Sequence, residues 1–456
     1  MSRNIPKIVF LLFSILTSFY LFRSSFTAYF FQDDWFTIKI SKVETLQEIW
    51  SFFIPRKDVI YYRPLGMQMP FFINRILFRQ DSLWFHVVMF FTFLLNVFLV
   101  YVVLNQFIKS KLLSAIGSFF YSTSTLHFIL FYWMATYSFV LGTTFYLLAF
   151  ILFIRFTRGN RRCYWLSLGL FILGLLTNEM IITLPVVLFI FLIFYKGKKF
   201  VTWIIPYGAI GFVWFSARFI FFPIPAHGNY SIRAGFHLFS NLKTYLLWSF
   251  NWSEVLTEQM VHLFAFNYQL DAYPFVVSVT MVCFIAFMIL LFLLPFILGI
   301  FNRKKQKLRL FIFCLLGYVI SLSPVLFFTQ HKFPYYLTIS QIFWILGIIS
   351  IIESTVKRKS TKNLFISIIA FLWILQAATT IEFNTKIHWA PRRADISREF
   401  ITHAKERYER KPPDVIFIPD SSENRLALND QDAFQVVFDN RRIETIYVLY
   451  DKRIQD

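Results

Sequence analysis

Two adjacent carboxylates, Asp33 and Asp34, lie in Phe31-Gln32-Asp33-Asp34-Trp35-Phe36, just past the first long apolar run of a 456-residue chain. Neighbouring carboxylates repel, so one of them holds its proton to a higher pH than usual. A carboxylate poised in that way can take a proton from a hydroxyl. The aromatic residues on either side would keep the pair near the headgroups of a bilayer. Taken alone, the pair reads more readily as an ordinary solvated turn.

Further polar residues recur at the ends of apolar runs: Tyr61-Tyr62-Arg63-Pro64-Leu65, His127 with Trp133, Thr177-Asn178-Glu179-Met180 ahead of Pro185, and His331-Lys332-Phe333-Pro334-Tyr335-Tyr336-Leu337. Each has a plain structural reading. An arginine beside a proline makes loop contacts, a glutamate at a hairpin tip caps a helix, and a histidine at a span end bonds backbone. Tyr335 and Tyr336 suit an interfacial aromatic belt.

The elements that must position these residues are membrane helices. Hydrophobic residues make up 57% of the chain and charged residues 15%, with a mean hydropathy of +0.59. Apolar runs predict about eleven spans, over 8–25, 83–107, 112–130, 138–156, 164–178, 180–195, 200–222, 274–301, 310–328, 336–352 and 364–381. The net charge of +20 does not point to nucleic acid. It sits in short clusters between runs: Lys109/Lys111, Arg158/Arg161/Arg162, Lys196/Lys198/Lys199, Arg303/Lys304/Lys305/Lys307/Arg309 and Lys357/Arg358/Lys359/Lys362. The positive-inside rule puts all of them in the cytoplasm once the N-terminus is there. Asp33, Asp34, Glu179, the 329–334 loop and the C-terminus then fall on the extracytoplasmic side. The start of the chain reads as an uncleaved signal anchor. Cys163, Cys283 and Cys314 show no metal-ligand or disulfide spacing.

The first external loop, 26–82, is expected to hold interfacial amphipathic helices. One carries Val43, Leu46, Ile49, Trp50 and Phe53 at helical spacing, and a second covers Met67 to Phe78. A third is expected from Phe236 to Trp248 in the 223–273 loop. From about 382 the chain turns charged. A helix from Arg392 and strands at 415–418, 434–438 and 446–450 predict a small extracytoplasmic α/β domain, 382–456, behind a membrane domain, 1–381. Asn229-Tyr230-Ser231 and Asn251-Trp252-Ser253 match a glycosylation acceptor pattern that chance explains as well.

In order and spacing these segments resemble the GT-C fold glycosyltransferases that use polyprenyl-phosphate sugars, above all the protein O-mannosyltransferase-like group. The acidic pair after the first span matches Asp33-Asp34, and a Tyr-Arg-Pro-Leu segment matches Tyr62-Arg63-Pro64-Leu65. The opening of the second span matches Phe85-His86-Val87-Val88. The Lys-Glu and proline of the fifth-to-sixth turn match Asn178-Glu179 and Pro185, and a late Arg-Tyr-Tyr segment resembles Pro334-Tyr335-Tyr336-Leu337. The chain departs from the family at Asn178, where a lysine is usual, at Ser124-Thr125-Leu126-His127, and in lacking the late arginine, near which His331 and Lys332 sit.

The resemblance implies an all-α polytopic GT-C-like fold and transfer of a sugar from a lipid phosphate to an acceptor hydroxyl of a protein, lipid or glycan. Asp33 would serve as base, with Asp34 tuning it or binding the acceptor. Arg63 is suited to the phosphate by its planar, permanently charged fork. Lys332 and His331 would add positive charge, and Glu179, Tyr62 and His127 would contact donor phosphate or sugar. One base with direct displacement implies inversion. No cofactor is required. A divalent metal is admitted, because Asp33, Asp34 and Glu179 offer hard oxygen ligands. The competing readings are a flippase or transporter of lipid-linked sugars, which would want charges at the membrane midplane, and a noncatalytic assembly protein of the same fold.

Overall fold

The computed structural model describes residues 5–56, 58, 59, 61–222, 230–259, 273–297, 305–355, 359–409 and 412–449. Arg303, Lys304, Lys357, Arg358, Asn229, Tyr450 and much of the 223–273 loop lie outside the described residues. The fold is an all-α bundle with one two-stranded sheet. A first helix, α1 (Ile5–Phe22), leads into the loop that holds α2 (Asp33–Ile40), a 3-10 helix (Leu46–Phe53) and α3 (Met69–Phe78). Then follow α4 (Ser82–Phe107), α5 (Lys111–Ser122), α6 (His127–Tyr132), α7 (Met134–Phe156), α8 (Arg162–Leu175), α9 (Glu179–Tyr195) and α10 (Lys199–Phe221). The second half has α11 (His237–Ser249), α12 (Glu254–Gln259), α13 (Pro274–Ile297), α14 (Lys305–Leu326), α15 (Pro334–Thr355) and α16 (Lys359–Ile387).

Seven described helical stretches are long and apolar enough to cross a membrane, and α8 and α9 are shorter apolar helices. The run expected as a single span over 112–130 is two helices. It breaks at Thr123–Leu126, where Asn251 Oδ1 accepts from the Thr125 N–H at 3.0 Å and from the Ser124 hydroxyl at 3.0 Å. Buried polar side chains supply the bonds that water would otherwise supply. Asn96, mid-way along α4, donates to the Val140 carbonyl at 2.7 Å and accepts from Thr144 at 2.7 Å. Helix α15 runs through the centre, with 94% of its apolar window buried, while α10 shows only 11% buried and presents Phe212, Val213 and Ile220 outward.

The first-loop segment differs from its expected form. The stretch around Leu46 is a 3-10 helix and not an α-helix, yet it leaves Leu46, Trp50 and Ile54 exposed as an apolar ridge. The helix expected from Met67 begins at Met69, after a π-helical turn at Pro64–Gln68.

The tail runs on from α16. His388 caps α17 (Trp389–Tyr408) by accepting from the Ala390 N–H at 3.2 Å. Then come β1 (Val415–Pro419), α18 (Ser422–Leu428), α19 (Asp432–Val437) and β2 (Glu444–Val448). β1 and β2 pair in parallel from Val415↔Glu444 to Pro419↔Val448, so the chain between them must cross over, and α18 and α19 make that crossover. This corrects the strand expected at 434–438. Phe434 is buried, and Gln435, with the Gln435 amide donating to the Ile443 carbonyl at 2.8 Å, sits inside a helix. The expected strand at 446–450 is displaced, β2 ending at Val448.

Candidate functional site

Three parts of the chain meet at the end of the bundle that carries the first loop. The Pro64–Gln68 turn is pressed against the turn between α8 and α9. The Leu65 N–H donates to the Leu176 carbonyl at 3.0 Å, and a Cβ on Gly66 would lie 2.1 Å from the Thr177 carbonyl oxygen. Glycine is the residue that permits this approach. The contact brings Arg63 to Glu179: Nε donates to Oε2 at 2.7 Å, and Nη1 donates to Ser138 Oγ at 3.2 Å. The guanidinium also lies over the rings of Tyr61 and Phe139, 4.9 and 5.0 Å from their centroids. Asn178 caps α9 by accepting from the Met180 N–H at 3.0 Å, and its amide reaches the same Ser138 hydroxyl.

Arg63 and Glu179 open on a cavity of about 200 Å³, whose lining also includes Asp33, Tyr61, Tyr230, His331 and Arg218. Its other wall is apolar: Trp214, Phe215 and Phe219 of α10 with Ile182 and Val325. Charged and apolar side chains thus line the same cavity, with Arg218 standing among the apolar residues of α10. Trp133 also lines it, and its buried Nε1–H has no partner among the described residues. An orphaned donor of this kind costs about 1–3 kcal/mol unless something binds it.

The two aspartates part company. Asp34 is fully buried and its carboxylate is taken by backbone: Oδ1 accepts from the Ala135 N–H at 2.6 Å and Oδ2 from the Phe31 N–H at 3.2 Å. Burial raises its pKa well above the usual carboxylate range, offset in part by those donors. Its visible task is to fasten the first loop to the start of α7. Asp33 has an open side towards the cavity. Burial lifts its pKa to about 6; Arg63 pulls it down and Asp432 pushes it up.

The other expected site residues separate in the same way. Asp33, Arg63, Glu179 and His331 share the cavity lining; Asp34, Tyr62, His127 and Lys332 are not in it. Tyr62 donates to the Phe53 carbonyl at 2.9 Å, and His127 is buried against the Tyr121 carbonyl at 2.9 Å. His331 stacks on Tyr230 with centroids 4.2 Å apart and bonds the Tyr336 hydroxyl at 2.9 Å. Burial, with the Arg63 charge, lowers its pKa to about 4, so it is neutral at pH 7 and brings no positive charge. The second cation of the cavity is Arg218, on α10. Sequence reasoning passed over it because it lies inside an apolar run; a charge within a span was the signal available. Tyr230 was seen only as part of a glycosylation pattern. Burial raises the pKa of Tyr61, and that of Tyr230 to about 12, so both hydroxyls stay protonated donors.

Among the described residues no group of three or more His, Cys, Asp or Glu side chains is gathered to hold a metal ion. Asp34 points its oxygens at backbone, which removes it from the ligand set expected with Asp33 and Glu179. No family model, no curated protein and no solved structure matches the chain.

Proposed function

We propose that the chain is a membrane glycosyltransferase of GT-C type, with about eleven spans, that moves a sugar from a polyprenyl-phosphate donor to an acceptor hydroxyl at the extracytoplasmic face. One observation carries the reading: Asp33, the Arg63–Glu179 pair and Arg218, from segments far apart in the sequence, line one cavity together with apolar side chains of α10. Charges are costly in a membrane protein and are kept where they act.

In this reading the donor phosphate lies against Arg63 and Arg218, and the first isoprenoid units lie against Trp214, Phe215 and Phe219. The Trp133 N–H and the Tyr61 and Tyr230 hydroxyls are donors for sugar oxygens. The acceptor oxygen attacks the anomeric carbon and forms a new C–O bond as the bond from that carbon to the phosphate oxygen breaks. The hydroxyl proton passes to Asp33. The lipid phosphate leaves with one more negative charge, which the two guanidinium groups offset. A base with a pKa near 6 is mostly ionised at pH 7 yet basic enough to accept a proton. Glu179 aims Arg63 and keeps its charge from being unbalanced when the site is empty.

The test uses the full-length protein in liposomes, with synthetic polyprenyl-phosphate sugars as donors. Asp33→Asn is expected to abolish transfer while donor binding and the folded fraction stay as in the wild type. Full transfer by that variant would remove the base from the mechanism, and with it the reading.

A further inference from the structure

The residue ahead of Asp33 has a backbone that its type does not favour. Gln32 has φ 53° and ψ −131°. These values belong to the first central position of a type II′ turn, which glycine ordinarily occupies because a Cβ is unfavourable there. The turn is closed by the Asp34 N–H donating to the Phe31 carbonyl at 3.1 Å. Restraints that hold Gln32 in this form come from the tail. Arg393 Nη1 donates to Gln32 Oε1 at 2.8 Å, across 361 residues of sequence. The Gln32 backbone N–H donates to the Ala427 carbonyl at 3.0 Å.

Arg393 is itself aimed. Glu423 accepts from its Nε at 3.2 Å and from its Nη2 at 3.1 Å, and the guanidinium rests 4.8 Å from the centroid of Trp389. The rest of α2 is held from the same side. Trp35 Nε1 donates to Ser397 Oγ at 3.0 Å, Lys39 pairs with Asp432 at 2.7 Å, and Lys42 pairs with Asp439. The tail thus holds the helix that starts with Asp33 from one side, and just ahead of its first turn it holds Gln32, whose positive φ is strained.

We propose that Arg393 is a positioning residue for Asp33, holding Gln32 in the turn that points the Asp33 carboxylate into the cavity. The proposal rests on the reading of Asp33 as the base. With the Arg393 contact gone, residue 32 can relax to negative φ. The peptide leading into α2 then rotates and the carboxylate turns away from Arg63, Tyr61 and Tyr230, the groups that face it in the cavity, and from Asp432 and Asp34 beside it. A glycine at position 32 would adopt the same turn without being held.

The experiment compares wild type, Arg393→Gln, Arg393→Lys and the double variant Gln32→Gly/Arg393→Gln, each full length in nanodiscs. Transfer kinetics are read alongside the pH dependence of carbodiimide labelling at Asp33, followed by peptide mass spectrometry. Carbodiimide reacts with the protonated carboxyl, so its midpoint reports the surroundings of Asp33 whether or not sugar is transferred. Arg393→Gln is expected to lower kcat on the order of tenfold to a hundredfold, with donor KM changed by less than about twofold. Its labelling midpoint should fall from about 6 towards the ordinary carboxylate value, because the group leaves its buried position. The double variant should recover both. Arg393→Lys keeps the charge, but not the fork, and should fall between. An Arg393→Gln protein with unchanged kcat and midpoint overturns the proposal. So does a folded double variant that recovers neither, since a merely structural arginine is not replaced by a glycine at position 32. Should wild type transfer no sugar while the midpoints move and recover as stated, the transferase reading fails and the positioning stands. Should wild type transfer sugar with midpoints that do not move, the reverse holds.

Discussion

Two of the bundle's cavities are of opposite kind. The one around Arg63 is about 200 Å³ and is lined by four charged side chains, Asp33, Arg63, Glu179 and Arg218. The other is about 440 Å³, lies among α11, α13, α14 and α15, and is walled by Phe250, Phe284, Phe292 and Trp344; Lys243 is the one charged residue in its lining. Size would choose the larger cavity and chemistry the smaller. An apolar gap between helices is an inexpensive feature in a bilayer, whose acyl chains are of the same character as its walls. Four charges converging beside apolar helices are expensive. The walls differ in origin too. Those of the larger cavity come mostly from spans and their immediate ends. The smaller one collects residues from several loops, the α8–α9 turn and several helix ends, so many local structures must be right for it to exist.

The sharpest way to break the smaller cavity without touching a charge is Gly66→Ala. The new Cβ would stand 2.1 Å from the Thr177 carbonyl oxygen and 2.8 Å from Ser138 Cβ, and backbone cannot yield cheaply. The 64–68 turn must lift off the α8–α9 turn, taking Arg63 away from Glu179. Transfer should drop on the order of a hundredfold, and thermal stability should fall by about 1–3 kcal/mol, as for an overpacked core. Gly169→Ala is the control, because nothing lies within 4 Å of its Cβ. Equal activity of the two alanine variants would show that the turn contact does not build the site.

Arg63→Lys keeps the charge and removes the fork. The lysine cannot hold Glu179 and Ser138 together from Nε and Nη1 and still meet a phosphate. Donor affinity is expected to weaken about tenfold, or about 1.4 kcal/mol, with a smaller change in kcat, read by initial rates over a donor series. An unaltered donor KM would take the phosphate away from Arg63 and leave it to Arg218. No comparable change is expected at Lys243, the lone charge beside the larger cavity.

How much of this could be read from the chain follows from what each signal measures. Apolar runs report burial or lipid contact over some twenty residues, so the long apolar helices were readable in position but not in their exact ends, and the Thr123–Leu126 break, where Asn251 from more than a hundred residues away bonds the chain, was not readable. The Asp33, Arg63 and Glu179 set was readable because each stands out at the edge of an apolar run. Arg218 was not, being one charge in a run that still counts as a span. The division of labour between Asp33 and Asp34 is absent from the sequence altogether. It depends on where the start of α7 places the Ala135 N–H. The 434–438 segment misled because alternation over five residues also suits one turn of buried helix, and the parallel crossover needed a helix there.

The same difference sets opposite pH behaviours for activity and stability. As the proposed base, Asp33 would accept a proton only when ionised, so transfer should be half-lost at about pH 6 and fall further below it. Its folded-state pKa lies above the unfolded value, so the neutral form favours the fold. That contribution is complete below about pH 4 and is lost as pH rises through about 6. A shift from 3.8 to about 6 corresponds to at most about 3 kcal/mol. Asp33→Asn should therefore melt a few degrees higher than wild type at pH 7.5 and at the same temperature at pH 4, in a thermal scan. An equal melting temperature at pH 7.5 would mean that the carboxylate is well solvated, and the cavity would lose its claim to a tuned base.

The smallest effect is expected where the larger cavity is filled. A Cβ on Gly347 would sit 3.5 Å from Cys314 Cβ, an ordinary contact, and would point at the wall of the apolar cavity. Alanine in a helix interior is favoured over glycine by about 0.5–1 kcal/mol, chiefly because the unfolded chain loses freedom. Gly347→Ala should thus leave transfer within about twofold and raise the melting temperature slightly. The contrast with Gly66→Ala uses the same added methyl group in both places, so it measures the sites and not the substitution. A loss of transfer from Gly347→Ala would give the larger cavity a part in the reaction. Amphiphile binding would then have to extend through both cavities, since Gly347 is on α15 and none of the charged residues of the smaller cavity is.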